Sequence, residues 1–210
     1  MSFLEILNKR YATKAMNGEV VSQQKIDNIL EAIRLAPSSS GLQPFEVFVI
    51  TDNETKSTIK EIAWNQSPVT DCSHLLVFAA WDHYTEDRIN HMFDLTNEIR
   101  GFKNEGWENY RQMLLSSYPQ KNSEENFEHA ARQTYIAFMA AITQAAYEGL
   151  DSTPMEGFDA GSLDKILGLR EKGLRSCVLL PIGYRDTESD WLVNLKKVRK
   201  STEDLVTVIE

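Results

Sequence analysis

The stretch from Ser123 to Glu148 constrains the fold more than any other part of the chain. Phe127, Ala131, Thr134, Tyr135, Phe138, Met139, Ile142 and Ala146 keep a helical period there over about seven turns. Gly149 follows where a C-cap glycine stands. The many alanines, among them Ala130, Ala137, Ala140, Ala141 and Ala145, allow neighbours to approach closely on more than one side. The spacing therefore predicts a central, largely buried helix, with Tyr135 and Met139 on its apolar face.

Shorter elements surround it. Ser2 and Glu5 have capping-box spacing ahead of Phe3, Leu7 and Tyr11, and a second helix starts near Ser22, carries Ile26, Ile29, Leu30 and Ile33, and ends before Pro37. Residues 37–44 read as a loop by composition, Phe45 to Thr51 and Leu75 to Trp81 as strands, and Glu54 to Trp64 as the helix between them. Residues 82–122 are polar and acidic. Ile89, Met92, Phe93, Thr96 and Ile99 suggest one half-buried helix in that stretch, and Trp107, Tyr110 and Leu114 another. Beyond the long helix, Asp151 to Met155 is short and extended, Ser162 to Gly168 a brief helix, and Ser176 to Tyr184 a buried strand. The tail ends in Leu205-Val206-Thr207-Val208-Ile209, which has strand propensity. Helices around a few mostly non-adjacent strands predict a mixed α+β layer fold, and no linker or repeat divides residues 1–210.

The chain carries 22 Lys+Arg against 31 Asp+Glu, a formal charge of −9, so its average field repels nucleic acid and anionic membranes. No apolar run approaches the roughly 20 residues of a membrane helix, and Asn8, Lys9 and Arg10 interrupt the N-terminal apolar residues too early for a signal peptide. Cys72 and Cys177 have no CxxC neighbours, which disfavours a disulfide scaffold or structural zinc and fits a reduced cytoplasmic compartment. His74, His83, His91 and His129 lack ligand-like spacing, and no dinucleotide, Walker, nucleophile-elbow or zincin motif is present.

Several basic or turn-rich clusters stand out against this acidic background: Arg10-Tyr11-Ala12-Thr13-Lys14, the loop Pro37-Ser38-Ser39-Ser40-Gly41-Leu42-Gln43-Pro44-Phe45, Asn65 ahead of Asp71-Cys72-Ser73-His74, Pro154-Met155-Glu156-Gly157-Phe158, and Lys197-Val198-Arg199. Each taken alone is equally a solvated edge or a turn. Taken in this order over nearly the whole chain, they resemble the nitroreductase family of FMN-dependent oxidoreductases. The resemblance implies a central, mostly antiparallel sheet flanked by helices, with a C-terminal extension that adds to the partner's sheet in a homodimer. It also implies that Arg10, Lys197 and Arg199 bind the FMN phosphate, with Tyr11 and Ala12 alongside, and that Lys14 and Asn65 meet the pyrimidine end of the flavin. A cation there stabilises the anionic reduced ring. Pro154, Met155, Glu156 and Gly157 would pass beside the ring, with the Glu156 backbone N–H near N5. Pro37, Ser38, Ser39, Ser40 and Gln43 would reach a flavin bound mainly by the other subunit, so the active sites would lie at the dimer interface. Ala12, Gly41 and Phe45 stand where relatives commonly carry serine, asparagine and tryptophan, and Pro68 lies in a region where some relatives place a lysine.

On this basis the expected activity is electron transfer from NADH or NADPH through FMN to small oxidised acceptors such as nitroaromatics, quinones or flavins, in a two-step exchange without a catalytic side chain. The segment at about 82–122 is expected as a variable helical excursion supplying acceptor contacts from Phe93, Phe102, Trp107 and Tyr110. The alternatives are a flavin-binding module that sequesters or senses without turnover, and a helical interaction protein whose basic stretches are incidental.

Overall fold

The computed structural model describes residues 2–210. Helix α1 (Phe3–Lys9) begins with the reciprocal Ser2/Glu5 cap, and α2 (Gln23–Arg34) buries Ile26, Ile29 and Ile33. Next come β1 (Phe45–Ile50), α3 (Asn53–Ile62), the single turn α4 (Pro68–Asp71) and β2 (His74–Trp81). The excursion forms two helices, α5 (Glu86–Arg100) and α6 (Glu105–Ser117), ahead of the long α7 (Ser123–Tyr147). The chain continues through β3 (Asp151–Ser152), α8 (Ala160–Leu167), β4 (Leu174–Gly183) and the short α9 (Thr202–Leu205).

The four strands form one antiparallel sheet in the order β1-β2-β4-β3, as an α+β reading requires. Alternation along the strands sends Leu76, Phe78, Val178, Leu180 and Ile182 to one face, where they meet α2 and α7. Leu75, Val77 and Leu179 point the other way, onto Ile59 and Ala63 at α3 and Leu163 of α8. Both faces of β2 are thus covered and all eight of its residues are buried, which is why Leu75 to Trp81 reads as an unbroken apolar run after His74. Phe78 is fully buried and meets Phe138 of α7 edge to face at 5.2 Å between ring centroids. Phe78→Ala is expected to cost about 3–5 kcal/mol, measured by denaturant unfolding.

The orientation of α7 differs from expectation. Its buried side is Ala130, Ala137, Phe138, Ala141, Ile142 and Ala145, whereas Tyr135, Ile136 and Met139 are exposed. Ala137, Ala141 and Ala145 let the helix settle closely on β2 and α2, with Phe138 and Ile142 filling the space between them, while Tyr135, Ile136 and Met139 stay outside. In α5 the buried residues are Ile89, Phe93 and Asn97, and Ile99 faces solvent. The tail also departs from its strand reading: Leu205 closes the one-turn α9, capped by Ser201, and residues 206–210 are exposed and outside any strand. The chain exposes 11999 Å², against about 9,900 Å² for a compact monomer of this mass. Phe3, Leu4, Val198, Val206 and Ile209 contribute to that excess. Among the described residues no helix is long and apolar enough to cross a membrane.

Candidate active site

Beyond α1 the chain runs extended beside β3. Ala12 pairs with Ser152, Met16 pairs with Arg185, and the Thr153 hydroxyl donates to the Thr13 carbonyl at 2.7 Å. The C-terminal segment is fastened to the same stretch by Asp190, which is 2% exposed. Its carboxylate accepts from the Tyr11 hydroxyl (2.7 Å), the Thr13 hydroxyl (2.6 Å) and the Leu192 N–H (3.0 Å). Burial and the bond to Asp190 push the Tyr11 hydroxyl up to about 12, so it remains a donor at neutral pH.

This clamp brings residues from both ends of the chain around a cleft of about 460 Å³, with Arg10, Tyr11, Ala12, Pro154, Lys197 and Arg199 in its wall. Burial and then the Arg199 charge hold the Arg10 guanidinium below its ordinary value, against the opposing pull of Asp151. Burial, Arg10 and Arg199 likewise lower Lys197. The Asp151 carboxylate is already paired with Arg185. The Lys197 ammonium donates to the carbonyls of Leu7 and Arg10 at the end of α1. Arg10 Nε is buried with no hydrogen-bond partner. Mutually repelling cations and an orphaned guanidinium N–H suit a phosphate dianion, whose several acceptor oxygens would satisfy them together.

A second group adjoins the cleft through Pro154 and Ala12. The Gln66 amide donates to the Gly157 carbonyl at 3.1 Å, and the Ser67 hydroxyl to the Lys14 carbonyl at 3.4 Å. The Trp64 indole lies over Gly157 so closely that a β-carbon there would sit 2.7 Å from the ring. Lys14, Asn65 and the 154–157 turn are therefore neighbours although far apart in sequence. Met155 is buried and its backbone exchanges hydrogen bonds with Leu179, while the Glu156 carboxylate accepts from the Tyr135 hydroxyl at 2.5 Å.

Residues 7–184 match the family model described as Nitroreductase family. The chain belongs to the nitroreductase family. It is 31% identical to the major NAD(P)H-flavin oxidoreductase of Aliivibrio fischeri, over 97% of this chain and 96% of that protein. It is 27% identical to the oxygen-insensitive NAD(P)H nitroreductase of Salmonella typhimurium, over 100% of both. A solved structure from Exiguobacterium sibiricum, described as a nitroreductase in complex with FMN, shares the fold at a TM-score of 0.82 and 20% identity, covering 100% of this chain and 98% of that one.

The third expected cluster of this nitroreductase-family chain lies elsewhere. None of Pro37, Ser38, Ser39, Ser40 or Gln43 lines the 460 Å³ cleft. The Ser39 N–H donates to the Gln133 side chain of α7 (2.8 Å), Ser40 Oγ meets Tyr110 Oη of α6 (2.5 Å), and the Gln43 N–H donates to Ser38 Oγ (2.9 Å). The Gln43 amide is occupied by the Arg34 carbonyl. The non-glycine residues with left-handed backbone are Ser40, Gln43, Trp64 and Asn65 among the described residues, all in the two loops expected at the flavin. Such strain persists where surrounding structure over-determines it, and it concentrates at functional sites.

The sequence reading gave no contact at this site to Thr13, although it lies in the Arg10–Lys14 cluster, nor to Trp64, Tyr135 or Asp190. Trp64 adjoins Asn65, a usable signal, whereas nothing local marks Asp190. Burial pushes the thiols of both Cys72 and Cys177 up to about 12, leaving neither a nucleophile. His129 is bracketed by the hydroxyls of Tyr84 and Tyr118. Among the described residues no cluster of three or more His, Cys, Asp or Glu is placed to hold a metal.

Proposed function

We propose that the protein is an FMN-dependent NAD(P)H oxidoreductase that reduces small oxidised acceptors such as nitroaromatics, quinones or flavins. The observation that carries this reading is the convergence on one cleft of Lys197, Arg199 and Arg10, whose buried Nε has no partner. These three residues, with Tyr11 and Ala12, would hold the phosphate. Lys14, Asn65 and the Pro154–Gly157 turn would hold the ring. FMN bound there would supply the electron carrier, taking electrons from a nicotinamide donor and passing them to the acceptor in two successive half-reactions. The protein's part is orientation, stacking space and positive charge.

The unit of function is a homodimer of single-domain chains (residues 1–210) with active sites at the interface, in the cytoplasm. The exposed Tyr135, Ile136 and Met139 on α7 and the excess apolar surface at both termini support a second copy as the covering partner. Pro37, Ser38, Ser39, Ser40 and Gln43 would then face the partner's flavin. The excursion at 82–122 would cover the acceptor.

Purified protein reconstituted with FMN is expected to be yellow, and rapid mixing with NADH or NADPH is expected to bleach it. A protein that stays colourless overturns the reading. One that binds FMN tightly but is bleached by neither donor is a flavin-binding module. Light scattering that shows a monomer retaining FMN overturns the shared site.

A further inference from the structure

We propose that Tyr110 is a positioning residue of the flavin site, holding Ser40 in its left-handed conformation and so fixing the Ser38–Ser40 turn for a flavin bound by a second copy of the chain. The inference rests on the nitroreductase function proposed above and adds a residue whose role lies outside the cationic cleft. Ser40 has φ 56° and ψ 13°, a backbone state that L side chains other than asparagine and aspartate adopt rarely. Something must hold it there. Ser38 is tied within the turn by Gln43, and Ser39 is tied through its backbone to Gln133 of α7. Ser40 is fastened by its side chain, to Tyr110 Oη at 2.5 Å.

Tyr110 is itself well anchored. Its ring packs against Trp107 and Phe93, with centroids 5.6 and 6.3 Å away. The next residue, Arg111, bonds Asn90 at 2.7 Å and Asp94 at 2.7 Å, bracing α6 onto α5. The hydroxyl therefore projects from a rigid helical pair and meets the one left-handed serine of the turn. One consequence is mechanical: the excursion expected over the acceptor and the turn expected at the flavin move together, because this hydrogen bond joins them.

Tyr110→Phe keeps the aromatic packing and removes only the hydroxyl. In flavin-free protein it is expected to speed amide hydrogen exchange across residues 40–42 by about tenfold, and to weaken FMN binding by about tenfold. Glycine takes φ 56° without strain. In a Ser40→Gly background the same substitution is therefore expected to change FMN affinity by no more than about twofold. A merely structural role for Tyr110 would instead cost the same in both backgrounds, and that result overturns the proposal. So does unaltered exchange in Tyr110→Phe, or faster exchange with FMN affinity unchanged. If wild-type protein binds no FMN, the functional reading above fails and with it the flavin role of Tyr110, and exchange alone then decides whether Tyr110 holds the turn.

Discussion

Arg10→Met is expected to weaken FMN binding by roughly 10- to 100-fold while leaving the flavin-free protein as stable as before or more so. Hydrogen bonds to a charged group contribute about 1.5–3 kcal/mol, and Arg10 has an Nε with no partner inside the chain. In the flavin-free fold that group is a liability. It is partly buried, close to Arg199, and lowered by both burial and that charge. Methionine fills similar space without the charge or the orphaned donor. Loss of ligand affinity without loss of stability separates a binding residue from a structural one. Fluorescence titration of FMN and thermal unfolding of the flavin-free variant measure the two quantities. Unchanged FMN affinity would remove the phosphate from this cleft.

Asp190→Ala is expected to have the opposite signature, destabilising the fold by about 3 kcal/mol and releasing FMN although Arg10, Lys197 and Arg199 remain. The carboxylate joins residues 11–13 to the C-terminal segment that carries two of those three cations. Burial alone would raise its affinity for a proton, but hydrogen bonds from Thr13 and Tyr11 outweigh that and hold Asp190 below the usual carboxylate range. Its contribution is therefore fully present above the unfolded value of about 3.9 and is lost as pH falls through the lower folded value. Acid titration of wild type should show FMN release below about pH 4, with part of the concurrent loss of stability absent from Asp190→Asn. Identical acid profiles for the two proteins would show that the clamp does not depend on the ionised carboxylate.

The contrast between Arg10 and Asp190 shows what could be read without coordinates. Arg10, Lys197 and Arg199 were legible because cations clustered at both ends of an acidic chain need a reason, and their order along the chain resembles a known family. Asp190 was not, since one aspartate in a polar tail acquires meaning only when folding sets Tyr11 and Thr13 against it. Trp64 is intermediate: its place beside Asn65 was visible, but its packing on Gly157 required two loops 93 residues apart (157 − 64) to meet.

The long helix that opened the sequence reading follows the same division. Its extent was legible to within one residue, Ser123–Glu148 expected against Ser123–Tyr147 found, because local periodicity and the glycine following the Glu148 cap mark it. Which side it buries does not. Both the alanine side and the Tyr135/Met139 side carry apolar residues, so periodicity alone could not choose between them. β2, covered on both faces, and the isoleucines of α2 take the side that carries Ala137, Ala141 and Ala145, with Phe138 and Ile142 filling the space between them. That choice left Tyr135 free to reach Glu156 in the turn expected at the flavin. Local pattern was enough for the main helices and strands up to β4, their order and the clustered cations at both ends of the chain, but not for the tail, where Leu205 ends a helical turn and residues 206–210 form no strand. Which residues of distant segments stand within hydrogen-bonding reach depends on how the layers pack, not on any local spacing, so those contacts could be read only from the folded chain.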